Sequence, residues 1–308
     1  MKTIGVFVNR NRDKGFKYTR ILLESMRDKG ITVLLPAGIV KEICAGENGC
    51  CESCVEAKDD DDVFTSADLV ICLGGDGTFL KVARKVYKKG IPVLGINLGN
   101  VGFLTEIERD DIKGAVNKLV DGEYTIEERM MLDTSIIRNR SVVKEDTALN
   151  DVVISRGALS KILHLKTYIN GEFVDMFPGD GVIVSSPTGS TAYSLSAGGP
   201  IVEPNIDLII ISPICPHILY SRSIVTASDR VVKVVVDEDY HHKAMVTVDG
   251  QMGCKIRGGD AINVVKSRHR IKLVRIHPQN FFDVLRTKIY FRGESVRKDE
   301  IQQACQDS

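Results

Sequence analysis

Leu69-Val70-Ile71-Cys72-Leu73-Gly74-Gly75-Asp76-Gly77-Thr78 decides how this chain folds. Its first five residues form an apolar run of strand length. The residues after it repeat at helical spacing, with Phe79, Leu80, Ala83, Val86 and Tyr87 on one face and Gly90 as the stop. Three glycines and one carboxylate therefore fall at a strand-to-helix turn. Glycine lets backbone N–H groups come close to a bulky anion, and a helix start adds partial positive charge. The turn reads as a phosphate cradle with an acid, Asp76, in its middle and Thr78 as the helix N-cap. A tight turn with a solvated surface acid is the plainer reading. Strand, glycines, acid and helix in one stretch favour the cradle. It is neither of the common ones. No Gly-x-x-x-x-Gly-Lys-Ser/Thr occurs, and Leu80 stands where a dinucleotide fingerprint needs its third glycine.

Around this turn, strand and helix alternate. Ile4–Val8, Ile31–Leu35 and Ile91–Ile96 read as strands. Tyr18, Ile21, Leu22 and Met26 mark one helix face, closed by Gly30. Ile112, Ala115, Val116 and Leu119 mark another, ended by Gly122. Alternation implies an α/β domain with a parallel sheet, whose ligands bind beyond the strand carboxyl ends. Asp76 lies at such an end, and so does Asn97-Leu98-Gly99-Asn100-Val101-Gly102-Phe103. From Met131 to Ile276 strand signals dominate, with Asn170-Gly171 as a two-residue hairpin turn. Helical spacing returns at Phe281, Phe282, Val284, Leu285 and Ile289. The expected organisation is an α/β domain over 1–128 plus 278–308, and a β-rich domain over 129–277. The last helix is expected to return to the first domain.

Bulk properties narrow the function. The 308 residues carry 41 basic and 41 acidic side chains, a net charge of zero. That balance argues against a general nucleic-acid binder. The start breaks from an apolar strand into Asn9-Arg10-Asn11-Arg12 and does not read as a secretory signal. No apolar run reaches membrane-spanning length. A cytoplasmic protein with reduced thiols and no membrane partner is expected. Four of the eight cysteines cluster as Cys44, Cys50, Cys51 and Cys54. In a reduced setting such a cluster suggests a metal or redox pair, or an insertion with free thiols. The following Lys58-Asp59-Asp60-Asp61-Asp62 reads as exposed loop. Cys72, Cys215 and Cys254 sit in apolar patterns and read as small core residues.

A second constellation runs from Asp180 through Pro200. A strand enters a loop of hydroxyls, glycines and one tyrosine: Ser185-Ser186-Pro187-Thr188-Gly189-Ser190-Thr191-Ala192-Tyr193-Ser194-Leu195-Ser196. Small polar side chains and close backbone suit sugar hydroxyls and base edges, and Tyr193 offers a ring for stacking. A serine-rich turn is the plainer alternative. Leu149-Asn150-Asp151 places an amide beside a carboxylate at a strand boundary, and Asp249-Gly250 reads as a hairpin turn. His217 and the His241-His242 pair have no nucleophile partner in the pattern and read as structural or solvated.

With these segments in order, the chain resembles the bacterial NAD kinases. Gly74 to Thr78, Asn97-Leu98-Gly99, Gly102-Phe103-Leu104-Thr105, Leu149-Asn150-Asp151, Pro187 to Pro200, Ile211 to His217 and Val248-Asp249-Gly250-Gln251 carry the likeness. The resemblance implies transfer of the ATP γ-phosphate to the 2′-hydroxyl of the adenosine ribose of NAD, with Mg²⁺ or another divalent ion on the ATP. It also implies an α/β domain followed by a β-sandwich-like one. Asp76 would deprotonate the 2′-hydroxyl, with Gly74, Gly75, Gly77 and Thr78 against phosphates. Phe103, Asn150, Asp151, Thr188, Thr191, Ala192, Tyr193, Ser194, Leu195 and Ser196 would line the NAD pocket, beside the acid. Asp180 would touch the nicotinamide half, with Lys81, Lys161 and Gln251 as further contacts. Small-molecule nucleotides are the implied partners, in a homodimer or homotetramer. Pro178 and Ser186 depart from the usual pattern, as does the Cys44–Cys54 insertion. A lipid or sphingoid kinase shares the glycine turn but gives no reason for the Thr191-Ala192-Tyr193 loop. A dinucleotide sensor without turnover gives no reason for Asp76.

Overall fold

Leu69–Leu73 is apolar at every position because the strand it forms is buried on both faces. The computed structural model describes residues 2–45, 54–99, 102–157, 161–251, 253–277 and 280–290. There the run becomes β4 (Leu69–Gly74), buried throughout. The chain divides into two compact units. One holds Met1–Phe79, Leu94–Thr125 and the chain from Val274 on; the other holds Leu80–Val93 and Ile126–Leu273.

In the first unit β1 (Thr3–Val8) lies parallel between β4 and β2 (Thr32–Pro36), and β3 (Val55–Lys58) is parallel to β2. β5 (Val93–Asn97) flanks β4 on the other side and pairs in parallel with the short β6 (Ile107–Glu108). The helices are α1 (Lys17–Met26), α2 (Ala37–Cys44), α3 (Asp60–Thr65), α4 (Asp76–Val86, continuing into the second unit) and α5 (Ile112–Asp121). Leu22, Leu23 and Met26 of α1 and Val116 and Leu119 of α5 share one core with Val6, Leu35, Ile71 and Ile96 of the sheet. Val274 and Ile276 join that core, and α7 (Phe281–Tyr290) follows them. The last helix returns to the first domain, as expected.

The second unit is antiparallel. One sheet runs β11 (Glu172–Gly179), β10 (Leu163–Ile169), β15 (Val232–Val236) and β18 (Ala261–Arg275). To it are joined β7 (Thr125–Arg138) and β8 (Ser141–Ala148). The other runs β14 (Ile224–Ala227), β13 (Leu208–Ile214), β12 (Gly181–Ser185), β9 (Asp151–Arg156), β16 (Ala244–Val248) and β17 (Cys254–Ile256). Leu165, Phe177, Val234 and Ile262 from the first meet Ile154, Val184, Ile211 and Val246 from the second in one sandwich core. The short helix α6 (Tyr193–Ser196) follows β12. Asn170 and Gly171 both take positive φ, 49° and 85°, the turn a two-residue hairpin needs. Asn139 and Arg140 do the same between β7 and β8, at a turn without glycine.

Three expectations are corrected. The stretch after β2 is not all loop: α2 reaches Cys44, β3 starts at Val55, and the aspartate run opens α3. Acids favour a helix N-terminus, and Val63 and Phe64 behind them are buried and give α3 its anchor. Cys44 and Cys54 are free thiols, while Cys50 and Cys51 lie outside the described residues. Cys72 is buried and Cys254, partly buried, packs against the core of the second unit, but Cys215 is exposed and is not a core residue. Thr78 is not the N-cap, for a reason given below.

A Cβ on Gly5 of β1 would lie 2.7 Å from the backbone oxygen of Val63, which cannot swing away. Gly5→Val should therefore cost about 1–3 kcal/mol by overpacking α3 against β1. Urea unfolding checks this, and an unchanged midpoint would refute the close packing.

Candidate functional site

In the first unit the site is built where β4 meets α4. Gly75 O accepts the N–H groups of Thr78 at 2.8 Å and Phe79 at 3.0 Å, so the helix starts from Gly75. Asp76 is its first residue and Thr78 lies inside the first turn. Thr78 Oγ1 instead accepts Asn9 Nδ2 at 2.8 Å, tying the end of β1 to the turn. A Cβ on Gly74 would strike Thr78 at 2.5 Å, whereas one on Gly77 would meet nothing within 4 Å. Gly74 is thus required by packing, and Gly77 leaves open space at the helix start.

Asp76 is clasped by the segment after β5. Its Oδ2 accepts the Phe103 N–H at 2.8 Å. Its Oδ1 accepts the N–H groups of Leu104 and Thr105 and the Thr105 hydroxyl, each at 3.2 Å. Three consecutive backbone donors aim at one carboxylate. Gly102 makes this approach possible, since a Cβ there would lie 2.0 Å from Asp76 Oδ1. Asn97 shapes the preceding turn, accepting Gly99 N–H at 3.0 Å and donating to Gly99 O at 3.2 Å. Lys288 Nζ of α7 stands 3.4 Å from Asp76 Oδ2.

Arg12 completes this half. Its guanidinium lies where Cβ atoms on Gly75 and Gly99 would sit 2.8 and 2.5 Å from Nη1. Its loop is held by Asp13, 1% exposed, whose carboxylate accepts the N–H groups of Tyr18 and Thr19 and the Thr19 hydroxyl. A cation thus lies against both glycine turns beside Asp76.

In the second unit Asp249, 6% exposed, repeats the clasp. It accepts the N–H groups of Leu149 at 2.9 Å, Asn150 at 2.7 Å and Asp151 at 3.2 Å. Asp249-Gly250 is also the hairpin turn, with φ of 51° and 66°. The hydroxyl loop packs on this segment. Asn150 O accepts Ser186 N–H at 2.9 Å and the Ser185 hydroxyl at 3.2 Å, and a Cβ on Gly189 would strike that oxygen at 2.1 Å. Ser194 is spent inside the loop, where its hydroxyl joins Ser212 and Ser223 in a buried chain. Thr191 Oγ1 donates to Thr188 O at 3.2 Å. Thr188 Oγ1 is buried without a hydrogen-bond partner among the described residues, so it has a hydroxyl to offer. Tyr193 is 46% exposed. Ala192 and Leu195 are half-buried and Ser196 is exposed.

Burial pushes Asp151 up to about 7, helped by the Asp249 charge and opposed by the Tyr193 N–H it accepts. Burial also raises Asp249, against three backbone donors. Asp180 is held below the usual carboxylate range by Arg156, whose Nε lies 2.5 Å from Oδ1. Lys81 and Lys161 are exposed, and Gln251 lies half-buried in the Asp249 turn.

The structure brings Asp76, Gly74, Gly75, Gly77, Thr78 and Phe103 together in the first unit. Asn150, Asp151, Thr188, Thr191 to Ser196 and Gln251 belong to the second. Sequence reasoning missed Arg12, Asp249 and Lys288 as members of these clusters. A basic run at a strand's carboxyl end was the available signal for Arg12. The Asp-Gly turn was the signal for Asp249. Lys288 had none, because only folding carries α7 back.

An acid on a glycine turn of a parallel sheet, with a hydroxyl-rich loop on an antiparallel sandwich, defines a nucleotide-handling protein of α/β plus all-β design. Residues 4–124 match the ATP-NAD kinase N-terminal domain and residues 149–276 the ATP-NAD kinase C-terminal domain. The NAD kinase of Acetivibrio thermocellus is 55% identical over 297 residues, covering 96% of this chain and all of that protein. That of Ruminiclostridium cellulolyticum is 47% identical over 298 residues, again with 96% and 100% coverage. Yeast NADH kinase, solved with NADH, shares the fold at a TM-score of 0.87 and 24% identity, over 97% of this chain and 90% of its own. An Archaeoglobus fulgidus NAD kinase, solved with ATP, does so at 0.71 and 24%, over 95% and 100%. The chain belongs to the ATP-NAD kinase family.

Asp151 yields a prediction of sign. Its carboxyl starts from 3.8 and is raised to about 7 in the folded chain. Between those values the folded chain keeps a proton that the unfolded chain has released, so stability falls as pH rises through the window. Asp151→Asn should flatten that fall, by on the order of a few kcal/mol. Urea unfolding of both proteins at several pH values across the window measures it. Parallel curves would refute the raised value.

Proposed function

We propose that this chain is an ATP-dependent NAD kinase, phosphorylating the 2′-hydroxyl of the adenosine ribose of NAD to give NADP. The observation that carries this reading is the Asp76 carboxylate, fixed by three consecutive backbone N–H groups at the start of α4. Asp76 takes the proton of the 2′-hydroxyl as that oxygen bonds to the γ-phosphorus. The bond from phosphorus to the ADP oxygen breaks, and ADP leaves. Phosphoryl transfer asks for positioning and charge neutralisation more than covalent help. Arg12 against Gly75, the open backbone at Gly77, and the positive end of α4 supply that on this reading.

A divalent ion neutralises charge on the ATP phosphates when bound. Asp76 already spends its oxygens on protein donors. Among the described residues no cluster of three or more His, Cys, Asp or Glu could hold such an ion. The described residues therefore offer no such cage, and on this reading the ion would be held by ATP's oxygens.

The second unit reads the dinucleotide. Asn150 presents an amide on a backbone that Asp249 holds still, and Asp151, its carboxyl raised to about 7 by burial, can donate in its protonated form to a sugar or base oxygen. Thr188, Thr191 and Tyr193 add hydroxyls and a stacking ring. Asp180 and Lys161 are assigned to the nicotinamide half, and Lys81 and Gln251 to polar contacts with the nucleotides. Leu219 and Tyr220, 90% and 85% exposed, support self-association as a dimer or tetramer. No described helix is long and apolar enough to cross a membrane, and a cytoplasmic place fits the substrates.

The test is direct. Purified protein with NAD, ATP and Mg²⁺ should yield NADP, while diacylglycerol or a sphingoid base should not be phosphorylated. Tight NADP binding without product would favour a sensor. Asp76→Asn should lower kcat at least about a hundredfold with the fold intact by circular dichroism. Near-normal turnover would remove Asp76 as the base.

A further inference from the structure

The strand β18 leads into a segment that is pinned beside the acid. Glu106, its side chain 3% exposed, accepts the Ile276 N–H at 2.9 Å and the His277 N–H, and pairs with Arg275 at 3.4 Å. Glu106 directly follows Phe103-Leu104-Thr105, whose N–H groups clasp Asp76. One short stretch, Gly102 to Glu106, thus holds the acid by its backbone and the returning chain by its last side chain. From that anchor α7 places two side chains over Phe103. The Phe281 ring stands 6.3 Å from it, centre to centre, and Lys288 Nζ stands 4.2 Å from its centroid. The same ammonium reaches Asp76 Oδ2 at 3.4 Å. Held by a ring face and a carboxylate, with its side chain 26% exposed, Lys288 is not a solvated surface cation.

Five donors surround Asp76, and a substrate hydroxyl must replace one of them. Four belong to the segment pinned by Glu106. Lys288 makes the longest contact of the five, on a flexible four-carbon stem. Only it and the Thr105 hydroxyl can yield without moving the backbone, and it is the one that stands on the segment opposite the clasp. Once off Oδ2, its ammonium stays beside Asp76, where on the kinase reading the attacked phosphoryl group would stand, and transfer must neutralise the charge on that group's three oxygens.

We propose that Lys288 is a further functional cation of this reaction. It occupies the acceptor oxygen of Asp76 before the dinucleotide binds. It then pairs with the γ-phosphoryl oxygens when the ribose hydroxyl takes its place. This rests on the NAD kinase reading and adds a residue to its site.

Lys288→Met keeps the stem and removes the charge. With NAD, ATP and Mg²⁺ it should lower kcat about a hundredfold while KM for NAD stays within about threefold. Lys288→Arg should recover at least about a tenth of wild-type kcat, which a role in helix packing alone would not separate from Met. Thermal midpoints of both variants check folding, and Lys288→Gln repeats the comparison if the Met variant unfolds. A charge-free variant within about threefold of wild-type kcat overturns the proposal, as does a loss confined to KM. Wild-type protein that makes no NADP would instead refute the kinase reading, and the role of Lys288 with it.

Discussion

A carboxylate clasped by three consecutive backbone N–H groups is the interaction on which this structure turns. At Asp76 it fastens the segment after β5 onto the first residue of α4. Backbone donors cannot rotate away as side chains do, so the carboxylate is fixed in position by the segment between β5 and β6. A hydrogen bond to a charged acceptor contributes about 1.5–3 kcal/mol, and leaving such donors unpaired costs as much. That is enough to hold a local conformation against solvent.

The second unit uses the same device with a different outcome. Asp249 clasps the N–H groups of Leu149, Asn150 and Asp151, but it is 6% exposed and faces a second buried acid. Asp76 keeps 30% of its side chain exposed. One carboxylate is sealed and can only position its neighbours. The other stays accessible and can exchange a partner. The difference between scaffold and chemistry lies in solvent access, since the donor pattern is shared.

Glycine supplies the room for the Asp76 clasp and for the hydroxyl loop that packs on the segment Asp249 holds. Gly102 admits the Asp76 carboxylate, and Gly189 admits the Asn150 carbonyl, each at a distance no Cβ would allow. Gly75 and Gly99 make way for the Arg12 guanidinium. These glycines answer to close approach between segments. Gly171 and Gly250 answer to positive φ at turns.

The chain's local pattern determined a good deal alone. The apolar run Leu69–Leu73, the glycine turn and the helical spacing after it are short-range signals. So are the alternating strands and the Asn170-Gly171 hairpin, because strand burial, helix periodicity and turn φ are set within a few residues. The aspartate run misled, since its anchors Val63 and Phe64 come after it and their burial is a tertiary fact. Thr78 misled because N-cap chemistry suits it, while Gly75 takes the helix start and Asn9 takes its hydroxyl. Arg12 beside Gly75, Asp249 beneath Asn150 and Lys288 on Asp76 are separated by 63, 99 and 212 positions. No periodicity reaches that far. Only tertiary packing decides which distant charge meets which backbone, because a clasp is defined by space left between segments and not by spacing along the chain.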